Sequence, residues 1–308
     1  MTEQMTEQMT EQNRKGMWTD HLSLEEVDFS KKAAEELKKC LWAKKLLRDS
    51  KISKAIKILQ NKEMKYSEMK YSDLNETKSA LFEIRFAYAI HKLGLTAEYE
   101  HRCGVGNSSV DFKIKQNNYT WLIELTSCRE SSEVKKNTAV LDNFFSYCSI
   151  SSPLKNYPET VEIVKTQHAI LNKVSNSNGA IKFPPVSQNG TNNYLHMILI
   201  DMRSFNAGIL DCYDYVNIAH GSNCLTNIED GVYCREWKDQ NGNNCLIKGL
   251  FDSNHPDPRS KYVRENIHIL GFVHESDYTE NELSEKIKLF YNPLLTSSIY
   301  YFKHGRLG

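Results

Sequence analysis

The 308-residue sequence predicts an α/β fold, and three observations lead to it. A helix is expected at 73–94, where apolar residues recur at helical spacing until Gly94. Three short β-like runs follow at 96–102, 110–115 and 120–128. Leu195–Met202 then forms a continuous apolar run of strand length, typical of a buried central strand. This succession of a helix, the strands of a hairpin and a buried strand is typical of an α/β fold.

Composition bounds the class of protein. The chain has 39 Lys+Arg, 39 Asp+Glu and 40% hydrophobic residues, which excludes wholesale disorder and a globally basic surface. It contains no run of 18 apolar residues and no apolar leader, so we expect no membrane span and no secretion. Eight scattered cysteines are then expected to be reduced thiols in a cytoplasmic protein. The length suggests about two domains, or one large unit with an appendage.

The N-terminal quarter divides into a repeat and a basic region. Residues 1–16 begin with MTEQ three times and are expected to be disordered, since this repeat has no apolar face. The region 17–72 is expected to be helical, with a helix over 30–62 capped by Ser30. Residues 31–65 carry twelve Lys/Arg and four Asp/Glu, a balance of +8. This charge indicates either a solvated helix face or an arm that contacts phosphates.

The remaining elements are less sharply defined. Helices are expected over 132–147 and 159–174. Residues 206–308 are assigned to an α+β C-terminal extension, with loops and hairpins over 212–252, a strand at 267–274 and a short amphipathic helix at 281–290.

The most informative segment is a predicted hairpin from Val110 to Thr126. Asn117-Asn118 suits a two-residue type I′ turn, because Asn tolerates positive φ. In that register Asp111 lies opposite Glu124. One face is then wholly apolar: Val110, Phe112, Ile114, Trp121, Ile123 and Leu125.

Two facing carboxylates repel each other unless a positive group lies nearby. A divalent cation such as Mg²⁺ would supply that charge. The alternative is that Lys113 and Lys115 neutralise the pair on a solvated face. Glu83 adds a third acid, on a stripe of small or apolar residues in the 73–94 helix.

These residues together resemble the PD-(D/E)XK nuclease superfamily: helical Glu83, then Val110-Asp111-Phe112, a turn, and Ile123-Glu124-Leu125-Thr126. The resemblance covers about residues 75–205 and implies a restriction-endonuclease-like core at 73–205, with a central four-stranded mixed sheet flanked by helices. It implies that Asp111 and Glu124 are metal ligands and that Glu83 is an auxiliary acid. Thr126 stands where the family has lysine.

The missing lysine has three candidate replacements. Some branches of the superfamily carry Glu-X-Thr and recover a lysine or glutamine from the next helix, which here offers Gln167 and Lys173. Lys113, on the acidic face of the hairpin, could also substitute. Thr126 would orient a water molecule or bind metal through its carbonyl oxygen.

The resemblance implies an endonuclease dependent on Mg²⁺ or Mn²⁺ that hydrolyses nucleic acid, DNA rather than RNA, and that could act as a homodimer. Two alternatives stay open. One is a non-catalytic nucleic-acid- or protein-binding module, in which Lys113 and Lys115 satisfy the two acids. The other is an adaptor that binds a partner through residues 30–62. A zinc site at Cys224, Cys234 and Cys245 is disfavoured, because the gaps of nine and ten residues fit no zinc motif.

Overall fold

The structure is a computed structural model, and it describes twelve ranges of the chain. They are residues 24–61, 71–106, 108–128, 138–140, 146–148, 158–175, 181–186, 193–202, 210–228, 231–238, 242–274 and 283–296. The MTEQ repeat, with the disorder predicted for 1–16, lies outside these residues.

The described residues of the first half form four helices followed by five strands. The helices are α1 (Leu24–Leu37), α2 (Lys44–Arg48), α3 (Ser50–Gln60) and α4 (Tyr71–Lys92). The strands are β1 (Ala97–Arg102), β2 (Ser109–Gln116), β3 (Tyr119–Ser127), β4 (Thr138–Val140) and β5 (Ser146–Cys148).

The second half alternates helices and strands. Its elements are α5 (Pro158–Val174), β6 (Tyr194–Asp201), α6 (Cys212–Ala219), a 3₁₀ turn (Ser222–Leu225), β7 (Glu236–Lys238), β8 (Asn244–Leu246), α7 (Ser260–Asn266), β9 (Ile269–Val273), a second 3₁₀ turn (Leu283–Lys286), β10 (Ile287–Tyr291) and α8 (Pro293–Thr296).

A mixed sheet of six described strands forms the centre of the molecule, in the order β1-β2-β3-β6-β9-β10. The strands β3, β6 and β9 are parallel neighbours, while β1, β2 and β3 form an antiparallel meander and β10 runs antiparallel to β9. The predicted α/β class with a central mixed sheet is therefore confirmed. Two strands of this sheet, β9 and β10, come from the region assigned to the C-terminal extension.

Helices cover both faces of the sheet. On one face α1, α3 and α4 enclose an apolar cluster with strand residues that include Phe112, Ile123 and Leu199. On the other face α5, α6 and α7 enclose a second cluster around Ile198 and Phe272. The helices of the basic N-terminal region thus bury their apolar sides in the core.

The predicted hairpin register is confirmed for the pairs from Phe112–Ile123 to Gln116–Tyr119, whereas the pairing predicted for Asp111 with Glu124 lies beyond the paired residues. Phe112 pairs with Ile123 and Gln116 with Tyr119, as the turn at Asn117-Asn118 requires. Both turn residues have positive φ, 49° and 60°. The predicted apolar face is wrong at one position, because Val110 packs in the α5 cluster and not beside Phe112.

Five local predictions need correction. The start of 212–252, predicted as loops and hairpins, forms the helix α6. Ser30 lies inside α1 and does not cap a helix, and the helix predicted over 30–62 is divided into three. The described parts of 132–147 form the short strands β4 and β5 instead of a helix. The described part of the segment predicted as a helix at 281–290 forms a 3₁₀ turn and β10, in which Ile287 and Leu289 alternate with polar residues.

Among the described residues, no helix has both the length and the apolar character needed to cross a bilayer.

Candidate functional site

The two strands of the hairpin, β2 and β3, separate at Asp111. Paired residues of β2 and β3 run only as far as Phe112 and Ile123, one position short of Asp111 and Glu124. Beyond that point the Asp111 carboxylate replaces a backbone carbonyl: its Oδ2 accepts the N–H of Leu125 at 2.7 Å. This bond fixes Asp111 at the gap between the strands.

Strand β1 is distorted at the same level. Glu100 lies between the pairs Tyr99–Phe112 and His101–Val110, and it adopts φ +48°. A left-handed conformation is unfavourable for a glutamate and marks local strain. Lys45 of α2 braces the distortion by donating to the carbonyl oxygens of Tyr99, at 2.9 Å, and of Glu100, at 3.0 Å.

Glu124 is the most deeply buried acid of the site, with no exposed surface. Its Oε1 accepts from the ammonium of Lys173 at 2.9 Å and from that of Lys182 at 2.5 Å. Its Oε2 is buried and has no hydrogen-bond partner. A buried oxygen in this state is costly, so Glu124 retains the capacity to accept one further ligand.

Glu83 reaches the site from the opposite face of the sheet. It lies in the middle of α4, is 4% exposed, and accepts a hydrogen bond from the Tyr99 hydroxyl at 2.8 Å. Its other oxygen pairs with the Lys51 ammonium of α3. The predicted burial of this carboxylate on an apolar helix face is therefore confirmed.

The ionisable groups influence one another electrostatically. Burial raises the pKa of Glu124, and the nearby Asp111 raises it further, against the opposing effect of Lys173 and Lys182. The pKa of Glu83 is raised by the same two causes, burial and then Asp111. Asp111 thus lies within electrostatic reach of both buried acids.

Lys173 stays protonated at neutral pH. Burial lowers its pKa, but the neighbouring carboxylates of Glu124 and Asp111 outweigh burial and raise it overall. These neighbours favour the charged form of Lys173, which pairs with Glu124.

Lys182 is positioned at the site by a close contact between the backbone of its neighbour Ile181 and the loop before β2. Ile181 O accepts from the Val105 N–H at 2.8 Å and from the Ser108 hydroxyl at 2.5 Å. Gly104 allows this approach, because an added Cβ there would lie 2.0 Å from Ile181 O. The segment 181–183 carries no motif, so sequence reasoning missed Lys182.

Two predicted site residues have other surroundings. Gln167 does not join the described carboxylates, because its amide donates to the carbonyl oxygens of Ile218 at 3.2 Å and Lys248 at 2.8 Å. Lys113 donates to Glu98 on β1 at 3.2 Å. Thr126 is buried two residues after Glu124, so it lies on the same strand face.

The donor set fits a hard divalent cation in part. The described residues contain no group of three or more His, Cys, Asp or Glu side chains arranged around a common point. Mg²⁺, however, often takes only one or two protein carboxylates and keeps its waters. Asp111 and Glu124, with the unsatisfied Glu124 Oε2, supply that smaller set.

No protein-family model, curated protein or solved structure matches this chain.

Proposed function

We propose that this chain is a metal-dependent nuclease of the restriction-endonuclease-like class, which hydrolyses phosphodiester bonds in nucleic acid, DNA in preference to RNA. The observation that carries the proposal is the convergence of three carboxylates and two lysines where β2 and β3 separate. Glu83, Asp111, Glu124 and Lys173 come from four different elements, and Lys182 comes from a loop.

Each residue has a distinct role in this proposal. Asp111 and Glu124 hold the divalent cation, and the Leu125 N–H keeps the Asp111 carboxylate oriented. Glu83 adds negative charge from α4. Lys173 and Lys182 present positive charge to the phosphate oxygens, where negative charge grows in the transition state.

A bound Mg²⁺ would polarise the scissile phosphate and lower the pKa of a coordinated water. Lys173 also takes the place of the motif lysine that Thr126 has displaced, since it reaches Glu124 from the helix that follows the hairpin. Gln167, the other candidate from that helix, is engaged with backbone carbonyls and is left out of the proposed machinery.

The test is cleavage of plasmid DNA, linear duplex, single-stranded DNA and RNA in Mg²⁺ or Mn²⁺. Wild type is compared with Asp111→Asn, Glu124→Gln and Lys173→Met. We expect each substitution to reduce cleavage by about 100-fold or more, because each removes charge stabilisation of the transition state.

Glu98→Gln is the matched control. Glu98 is an acid on the neighbouring strand, paired with Lys113 and His101, and it is not part of the cluster. The variant should cleave at the wild-type rate. Cleavage that survives both Asp111→Asn and Glu124→Gln, or that needs no divalent metal, would refute the proposal.

A second candidate function is a non-catalytic nucleic-acid- or protein-binding module. It is favoured by the two ammonium groups that already contact Glu124 Oε1, a charge balance that needs no metal. The two functions differ in metal binding. A nuclease should gain about 2.7 kcal/mol of stability at a Mg²⁺ concentration 100 times its Kd, whereas a binding module should show no Mg²⁺-dependent shift in Tm.

A further inference from the structure

A basic groove runs along the outer side of α3. It encloses about 480 Å³ and is lined by Arg48, Ser50, Ser53, Lys54, Lys57, Ile58 and Asn61. None of these described lining residues is acidic. Three cations and two hydroxyl groups therefore face one concave surface.

The helix that carries this groove is held firmly in place. Its inner side, Ile52, Ala55 and Leu59, is buried in the core. Its first turn is capped by Asp49, which accepts the N–H groups of Lys51 at 2.9 Å and Ile52 at 3.4 Å. The cations extend from a fixed backbone, so binding requires less ordering than it would on a flexible arm.

The helix that carries the groove also contacts the carboxylate cluster. Lys51, on the same helix, pairs with Glu83. A helix rises about 1.5 Å per residue, which places Lys54 about 4.5 Å and Lys57 about 9 Å further along the axis than Lys51. In duplex DNA the phosphates of one strand advance by about 3.4 Å of helix axis per nucleotide. The cations of the groove are therefore spaced widely enough to contact more than one phosphate of a strand.

One ion pair crosses the groove's edge. Lys54 contacts Glu76 of α4 at 3.0 Å, and both side chains are more than half exposed. Exposed pairs contribute little to stability because water screens them. A phosphate can replace Glu76 at small cost.

We propose that this groove binds the phosphodiester backbone of the nucleic-acid substrate and guides a strand toward Glu83, Asp111 and Glu124. The identity of the ligand rests on the proposed function. Contacts to phosphate position a duplex without reading its sequence, so the groove should bind nucleic acid with no sequence preference.

Binding is tested separately from cleavage. Fluorescence anisotropy on the full chain, in EDTA and between 50 and 200 mM NaCl, measures affinity for a labelled DNA duplex, the single strand and an RNA of the same sequence. The groove variant is Arg48→Gln/Lys57→Gln. Because each phosphate contact contributes about 0.9 to the slope of log K against log[salt], the slope should fall by about 1.8 and affinity by about tenfold or more.

Ser53→Asp is the second variant. A carboxylate in the first turn favours the helix, so α3 should stay folded while the added charge repels phosphate. Lys38→Gln/Lys39→Gln is the control for net charge, since these lysines are exposed at the end of α1 and do not line the groove. It should bind within about twofold of wild type, because screening weakens distant charges.

The outcomes separate the two proposals. Groove variants that bind like wild type, a control that loses as much affinity, or a wild-type protein that binds none of the three probes would each overturn the groove. Binding that depends on the groove in a protein that cuts no substrate would leave the groove standing and refute the nuclease. Cleavage by wild type, together with groove variants that bind nucleic acid as wild type does, would support the nuclease and refute the groove.

Discussion

Replacing Gly104 by alanine tests how Lys182 is held at Glu124. The added Cβ would lie 2.0 Å from Ile181 O and 2.1 Å from the Ser108 Oγ, whereas real Cβ contacts stay above 3.0 Å. The Ile181 carbonyl would have to move by at least the difference, 1.0 Å. Since Lys182 is the next residue, its contact with Glu124 should loosen with that movement.

The expected loss of stability has three contributions. Overpacking costs about 1–3 kcal/mol. The two hydrogen bonds to Ile181 O, from the Val105 N–H and the Ser108 hydroxyl, are weakened and contribute about 0.5–1.5 kcal/mol each when intact. Restriction of the unfolded chain offsets about 0.4–1 kcal/mol. We expect a net destabilisation of about 1–3 kcal/mol, since the hydrogen bonds are weakened and not lost.

Urea denaturation measures this change, and metal-dependent cleavage reports on the site. Gly94→Ala is the control, because Gly94 has φ +69° and nothing within 4 Å of an added Cβ. It should cost about 1–2 kcal/mol through backbone strain alone and leave cleavage unchanged. Gly104→Ala with stability within about 0.5 kcal/mol of wild type, or equal loss of cleavage in both variants, would refute the reasoning.

Three further predictions concern the rest of the fold. Phe112→Ala should lower the free energy of unfolding by about 3–5 kcal/mol, because the ring is fully buried against Phe86; an unchanged urea midpoint would contradict this. Gln167→Leu should cost about 1–3 kcal/mol, since two carbonyls lose their donor, and thermal melting would show it. Burial lowers the pKa of His196 and His268 from 6.5 to about 4. As the pH falls, the histidines of the unfolded chain are protonated first, so the free energy of unfolding is at its full value above pH 6.5 and decreases toward pH 4. The expected decrease is about 3 kcal/mol for either histidine. Urea titrations from pH 7.5 to 4 should show a smaller loss in His268→Asn, and equal losses would contradict the assignment.

The hairpin could be predicted because its determinants are local. Asn117-Asn118 defines the turn, and the alternation of apolar and polar residues defines the register that the structure shows. Once the register is known, Asp111 and Glu124 fall at neighbouring positions on adjacent strands. Glu83 could also be predicted from the sequence, because a carboxylate among small and apolar residues on one helix face is unusual.

Lys173 was a candidate through the family resemblance, but the other two cations of the site, Lys51 and Lys182, could not be assigned from the sequence. Lys51 is one of twelve basic residues in a run, and only tertiary packing of α3 against α4 selects it as the partner of Glu83. The position of Lys182 depends on the close contact of Gly104 and Val105 with Ile181, residues that lie far apart in the sequence. Such contacts leave no periodic pattern in the sequence.

The predicted helix at 281–290 shows how a short apolar pattern misleads. Ile287, Leu289 and Tyr291 pack on one side of the sheet and Phe290 on the other, which is the two-residue period of a strand. Over so few residues the strand and helix periods differ little. Pairing with β9, which lies more than ten residues upstream, decides the outcome.

The balance of positive and negative charge in the carboxylate cluster explains how the fold tolerates three buried or half-buried acids, and why the cluster can bind a cation. Three carboxylates, Glu83, Asp111 and Glu124, are accompanied by the ammonium groups of Lys51, Lys173 and Lys182. Even so, burial keeps the pKa values of Glu83 and Glu124 raised. A raised carboxyl pKa means that these groups favour the folded state at low pH and that this contribution is lost as the pH rises through the folded pKa. The lysines therefore compensate the acids only in part at neutral pH, and any added positive charge at Glu124 Oε2 would stabilise the folded protein and the ionised acids together.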